Sequence, residues 1–338
     1  MALQINTASF PQFTDLIQRT VTKAYENFPH IIKNSGLVKV DNKQNNDGLF
    51  IRYYEMPVID TYAYKKREWS NARSARTQYG FEKDLQIFRF GLDVSITKEM
   101  RIANKNPDVV QRIINVAKTV PSRMELDLTH RITFGTATSY VDRDWDTVDI
   151  TTWDGVAPFS ATHTLTGSWT TYSNRLSGDP AFSKGALEWI ERLISEQSFD
   201  NLGVKINMYE FFDVIWHGDD SVTRNRISEE LKAKADTTSA NANTFNVYNN
   251  KYRPIELPLI ATDVNGGVDT TKRRYWGLAA TSYSDLYLAI LEAPFLKAPN
   301  DWNNWEEFST ENWSYAGRGS YWIAMVSWRW IKWSFPTS

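Results

Sequence analysis

Apolar residues recur at helical spacing in two long stretches of the chain. In residues 10–28, Phe13, Leu16, Ile17, Val21, Ala24 and Tyr25 share one face, and Pro29 closes the segment. In residues 107–134, Val109, Ile113, Val116, Ala117 and Val120 align, and Met124, Leu128 and Ile132 resume the pattern beyond Pro121. Asn106-Pro107-Asp108 supplies an N-cap, a first-turn proline and an acid at the positive dipole end. The spacing predicts one long helix, kinked at Pro121, spanning roughly 40 Å.

Strand-like runs occupy residues 49–59 and 85–96. Between them, residues 61–80 are polar and basic, with Lys65, Lys66, Arg67, Arg73 and Arg76 against Glu68 alone. This predicts an extended hairpin with a charged tip. A two-stranded hairpin is marginal in water, so it needs support from elsewhere. Further on, Ser183 reads as an N-cap, with Phe182 and Leu187 as a hydrophobic staple. Residues 204–216 read as a strand and 219–235 as a more polar helix. Residues 253–262 and 274–281 flank the turn Asn265-Gly266-Gly267 and predict a second hairpin. Residues 285–291 read as a strand, and 321–335 as a final strand apolar on both faces, interrupted by Arg329 and Lys332. The elements make an α+β protein.

Composition narrows the function. The chain has 338 residues, 42% hydrophobic and 14% aromatic, enough for a large core. The net charge of −2 argues against gripping nucleic acid through overall charge. Without cysteine there is no disulfide frame, thiolate zinc site or cysteine nucleophile. Residues 1–7 lack a basic region followed by an apolar core, so no secretory leader is expected, and no run predicts a membrane span.

Catalytic patterns are missing. His30, His130, His163 and His217 lie far apart, with no zinc-binding spacing. His163 near Ser160 and several aspartates raises the thought of a triad, but no nucleophile elbow accompanies it. No Walker or dinucleotide glycine pattern occurs. Residues 263–269 faintly resemble a calcium loop but lack the distal glutamate, which favours a hairpin turn. Eight of the fourteen tryptophans lie between Trp276 and Trp333, mostly in apolar surroundings that mark core or interface. An aromatic-rich sugar-binding or hydrolytic β-protein is the competing class, and it predicts a monomer with a glycan cleft. No cofactor, metal or active site is expected.

Four segments, DGVAPFSATHT (154–164), SNRLSGDPAFS (173–183), NTFNVYNNKYRPIELP (243–258) and YWIAMVSWRWIKWS (321–334), together with the order of elements, carry a family likeness. The chain resembles the major capsid proteins of tailed phages, in their Mu-like branch, with the fold named for phage Hong Kong 97. The resemblance implies an N-arm (1–47), an extended E-loop (48–97), a P-domain with its spine helix (98–182), an A-domain (183–298) and a return to the P-domain (299–338). It implies hexamers and pentamers of this chain, closing an icosahedral head around double-stranded DNA that is held without sequence-specific contacts. Portal and scaffold proteins, and decoration or minor capsid proteins, are the implied partners. The implied location is the virion, after assembly in the bacterial cytoplasm. The short segment before the E-loop implies a separate scaffold. An encapsulin nanocompartment, which shares the fold, is the alternative. On this reading the E-loop tip residues Lys65, Lys66, Arg67, Trp69, Arg73 and Arg76 contact a neighbouring subunit. Charge points to Asp301, Glu306, Glu307 and Glu311 as their acidic counterpart: the tip carries net +4 and residues 299–311 net −4.

Overall fold

The computed structural model describes residues 19, 23, 28–43, 48–55, 62–74, 80–97, 99–100, 106–237, 244–298 and 312–337. The N-terminal helix predicted over 10–28 falls almost wholly outside them.

Two four-stranded sheets carry the fold. The first is assembled from β1 (Lys39–Asn42), β4 (Phe88–Ile96), β12 (Leu286–Lys297) and β13 (Trp313–Met325), in the order β1-β12-β13-β4. β1 runs parallel to β12; the other pairs are antiparallel. The register of β12 on β13 shifts twice, around Glu292 and Phe295. Pro294 lies between them and has no N–H to give the ladder.

Helix α1 (Asn106–Thr133) lies on this sheet, 28 residues long and running through Pro121. At 1.5 Å per residue it spans about 42 Å. The face read from the sequence is the buried one: Val109, Ile113, Val116, Ala117, Val120, Met124, Leu128 and Ile132 are all in the core. Two glycines of β13 let the helix sit close. A Cβ on Gly317 would lie 2.7 Å from the Val116 carbonyl oxygen, and one on Gly319 would lie 2.8 Å from a Val120 methyl.

On the same sheet, β2 (Phe50–Tyr54) and β3 (Glu82–Gln86) form the predicted hairpin. Its root buries Ile51, Leu85 and Ile87 with Ala289, Ala324 and Val326 of the first sheet's last strands and their continuation. The second hairpin strand was expected to run unbroken from 85 to 96. Instead it changes partner at Ile87, where β3 leaves β2 and β4 joins β13.

After α1 come two small hairpins, β5 (Ser139–Val141) with β6 (Thr147–Asp149) and β7 (His163–Leu165) with β8 (Ser168–Tyr172). Helix α2 (Lys184–Glu196) starts at Ser183, whose side chain accepts a hydrogen bond from the Ala186 N–H; Phe182 and Leu187 are both buried, as the staple requires.

The second sheet has the order β10-β9-β11-β14, from β9 (Val214–His217), β10 (Arg253–Glu256), β11 (Trp276–Ala279) and β14 (Ile331–Ser334). α2 and α3 (Ser221–Lys232) cover one face with Leu187, Ile190, Ile194, Ile227 and Leu231. The other face shares a core with the first body, through Trp216, Trp333, Phe159, Leu128 and Ile132.

Other expectations need correction. The strand expected over 204–216 shrinks to Val214–His217, after a 3-10 turn at Tyr209–Phe211. The segments around residues 265–267 do not form a hairpin. β9 lies between β10 and β11, and the turn closes only on itself. Turn residues specify a local reversal and leave the pairing of the flanking strands open. The final strand, expected unbroken over 321–335, is two strands in two sheets: β13 ends at Met325 and β14 begins at Ile331. An all-apolar run has no alternation to fix where one sheet is left and another entered. β12 pairs in the first sheet with β13.

Candidate assembly surface and buried junction

Among the described residues the hairpin tip is the longest fully exposed run. Every residue over 62–74 is exposed. Lys65, Lys66, Arg67, Trp69 and Arg73 all lie there, and Trp69 is 98% exposed with a positive φ of 65°. A bulky side chain in the left-handed region is strained, and here it sits at a turn with no core to repay it. The Arg73 guanidinium lies 4.2 Å from the Tyr64 ring, a contact within the tip itself. Arg76 lies outside the described residues, and so do Asp301, Glu306, Glu307 and Glu311. Two more tryptophans are equally bare: Trp145, in the turn between β5 and β6, and Trp169 in β8. Of the tryptophans between Trp276 and Trp333 read as core or interface, Trp276, Trp313, Trp328, Trp330 and Trp333 are buried.

The outer face of the hairpin is also open. Phe50 and Tyr54 are exposed on it, with Arg52 between them forming ion pairs to Asp84 and Glu82 across the strands. The inner face is fastened: the Tyr53 hydroxyl donates to Asp41 at 2.8 Å and its ring stacks on Tyr287.

Below the hairpin lies a buried polar junction, in the stretch where Ser160 and His163 raised the thought of a triad. His163 Nδ1 donates to Asp154 at 2.9 Å, with both side chains fully buried. Burial pushes the Asp154 carboxyl up. The hydrogen bonds from His163, Thr152 and the Thr164 N–H outweigh it and hold the carboxyl below its usual range. The imidazole stacks on Trp328, ring centroids 4.5 Å apart and 9° from parallel. Ser160 Oγ pairs with Thr162 and its N–H donates to Asn174. The serine is not wired to the histidine, and the pair is a structural bracket. Asn174, fully buried, donates in turn to the Pro158 carbonyl.

The other histidines also have local partners: His30 with Glu125, His130 with Thr262 and His217 with the Gly218 carbonyl. Among the described residues no group of His, Cys, Asp or Glu would hold a metal, and no helix is long and apolar enough to cross a membrane. In the loop resembling a calcium site, one Asp263 carboxylate oxygen is occupied by the Asn265 and Gly267 N–H groups.

Sequence reasoning missed Glu55 and Arg329. The Glu55 side chain is 1% exposed and accepts from Arg329 Nη2 at 2.8 Å, Thr166 Oγ1 at 2.6 Å and the Phe81 N–H at 3.1 Å. Arg329 also donates to Asn201. The signal was present as a charge on the inward side of the alternation Ile51, Tyr53, Glu55, and as an arginine inside the most apolar run of the chain. Nearby, Lys332 in β14 is wholly buried, 5.0 Å from the Trp328 ring centroid, with only a 3.4 Å contact to the Gln197 carbonyl. Burial, helped by the Arg329 charge, pulls its amine down to about 7.

No family model matches the chain, and no curated protein matches it. Several solved phage structures are similar over most of its length. A Gordonia phage Cozz chain aligns at 11% identity and TM-score 0.49, over 91% of this chain and 87% of the other. A chain from the procapsid of bacteriophage JBD30 aligns at 13% and 0.48, over 98% and 76%. One from the mature capsid of bacteriophage PhiM1 aligns at 9% and 0.48, over 90% and 86%. Likeness at this level transfers no residue's role.

Proposed function

We propose that this chain is a shell-forming subunit, the major capsid protein of a tailed phage, and that its function is self-association. One observation carries the reading: a hairpin rooted firmly in the body ends in a basic, aromatic tip that is exposed at every described residue and strained at Trp69. Hairpins of this kind are a liability in a monomer and an asset in an assembly whose neighbours cover them. A heterologous contact of this type, repeated around a ring, closes into the hexamers and pentamers of a shell. The sequence motifs resembling Mu-like capsid proteins, and a long helix on an antiparallel sheet followed by a second helix-covered sheet, support the same reading. Double-stranded DNA as the cargo, the portal and scaffold partners, and assembly in the bacterial cytoplasm followed by residence in the virion belong to this proposal. The net charge of −2 suits a container that releases what it holds.

Electron microscopy of the purified chain tests it. Closed shells, tubes or hexameric rings are expected at high concentration. A chain that stays monomeric there, as the sugar-binding alternative requires, overturns the proposal.

A further inference from the structure

We infer that Glu55 and Arg329 form a hinge pin, tying the direction of the projecting hairpin to the junction between the two sheets. Glu55 directly follows the first hairpin strand. Its carboxylate also takes the N–H of Phe81, which directly precedes the returning strand, so both legs of the hairpin meet at one buried group. Arg329 sits in the five-residue segment where the chain leaves the first sheet after Met325 and enters the second at Ile331. Its guanidinium reaches outward to Glu55 and, with another nitrogen, to Asn201 in the loop after α2. A planar guanidinium fixes two partners in direction as well as distance, which an ammonium on a flexible stem does not. Thr166, in the turn between β7 and β8, adds a third anchor. The fit is tight: a Cβ on Gly80 would lie 2.5 Å from Glu55. A buried ion pair contributes little net stability compared with apolar packing, so a pair placed here is better explained by the geometry it enforces. On this view a shift of the second sheet against the first moves Arg329 and swings the tip.

The chain has no cysteine, so Trp69→Cys and Trp189→Cys place spin labels at the tip and on α2 without further changes. Electron–electron distance measurement on the unassembled chain is expected to give one narrow distribution. Arg329→Lys and Glu55→Gln should each broaden it at least twofold, and Thr166→Val, which keeps the ion pair, should broaden it less. Near-ultraviolet circular dichroism checks that each variant is folded; should Glu55→Gln fail that check, Arg329→Lys and Thr166→Val carry the test. An equally narrow distribution in the folded variants, or a parent distribution already as broad as theirs, overturns the inference. The experiment does not depend on shell formation, so its failure and the failure of the capsid reading are separable.

Discussion

The hairpin tip and the junction beneath it are both rich in charge and aromatic rings, yet they are built in opposite ways. In the tip, Lys65, Lys66, Arg67 and Arg73 are all exposed, and the described ring contact there stays within the tip. In the junction, the Asp154, His163 and Glu55 side chains are buried and held by specific hydrogen bonds, His163 through Nδ1 alone. Buried polar groups are costly unless satisfied, so the junction's charges are committed to the subunit's own structure. Exposed charges contribute little to folding, so the tip's charges are available to something else. Mutations in the two regions should therefore fail differently: junction variants in stability, tip variants in assembly.

The largest stability loss is expected from Arg329→Ala. It leaves the Glu55 carboxylate buried without its cation, at a cost of about 3 kcal/mol. Urea unfolding followed by tryptophan fluorescence should show the midpoint drop, and a drop no larger than that of an exposed-site control would remove the contrast.

Next in size, and opposite in sign, is Lys332→Met. In the folded chain the Lys332 amine titrates near 7, whereas unfolded it does so near 10.5. Between those values the unfolded state holds the extra proton, so stability rises with pH across that window and the full penalty applies below it. Methionine removes the penalty. The variant should be more stable below pH 7, with the gain fading as pH approaches 10.5. A gain that does not change with pH would assign the effect to packing alone.

The same contrast explains what was legible in the sequence. α1 was legible because its apolar residues recur on one face from Val109 to Ile132; the opposite face is exposed over the first half and carries buried polar groups such as Glu125, Asp127 and Arg131 over the second. The hairpin was legible because polar residues separate two apolar runs. The break between β13 and β14 was not, because Tyr321 through Phe335 is apolar on both sides and buried almost throughout. Nor was the junction, because Glu55, Thr166, Asn201 and Arg329 meet only through tertiary contacts, up to 274 positions apart. For the candidate surface, the sequence read Lys65 to Arg73 as a polar segment between two strands, and residues 62–74 are all exposed. Trp145 and Trp169 were missed, since exposure at a hairpin turn or on a short outer strand leaves no mark that distinguishes one tryptophan from another.

The smallest effect on folding, and the sharpest test of the tip's role, is expected from Arg73→Glu combined with Arg76→Glu. Arg73 is exposed and its described contact is the ring of Tyr64, so the pair should shift unfolding by no more than about 0.5 kcal/mol. Assembly is another matter. If the tip docks on acids of a neighbouring copy, each reversal replaces an attraction with a repulsion at every copy of the contact, and wrong-sign charges at an interface are strongly disfavoured. Shell yield by sedimentation should fall well below that of the parent while the unfolding curve stays put. The partner can then be sought by charge: adding Asp301→Lys, Glu306→Lys, Glu307→Lys and Glu311→Lys to the reversed tip should recover part of the yield. Rescue would place the tip against residues 299–311 of the next subunit. Normal shells from the reversed tip alone would show that its charges do not carry the contact. Impaired shells without rescue would keep the tip as a docking element and rule out these four acids as its partner.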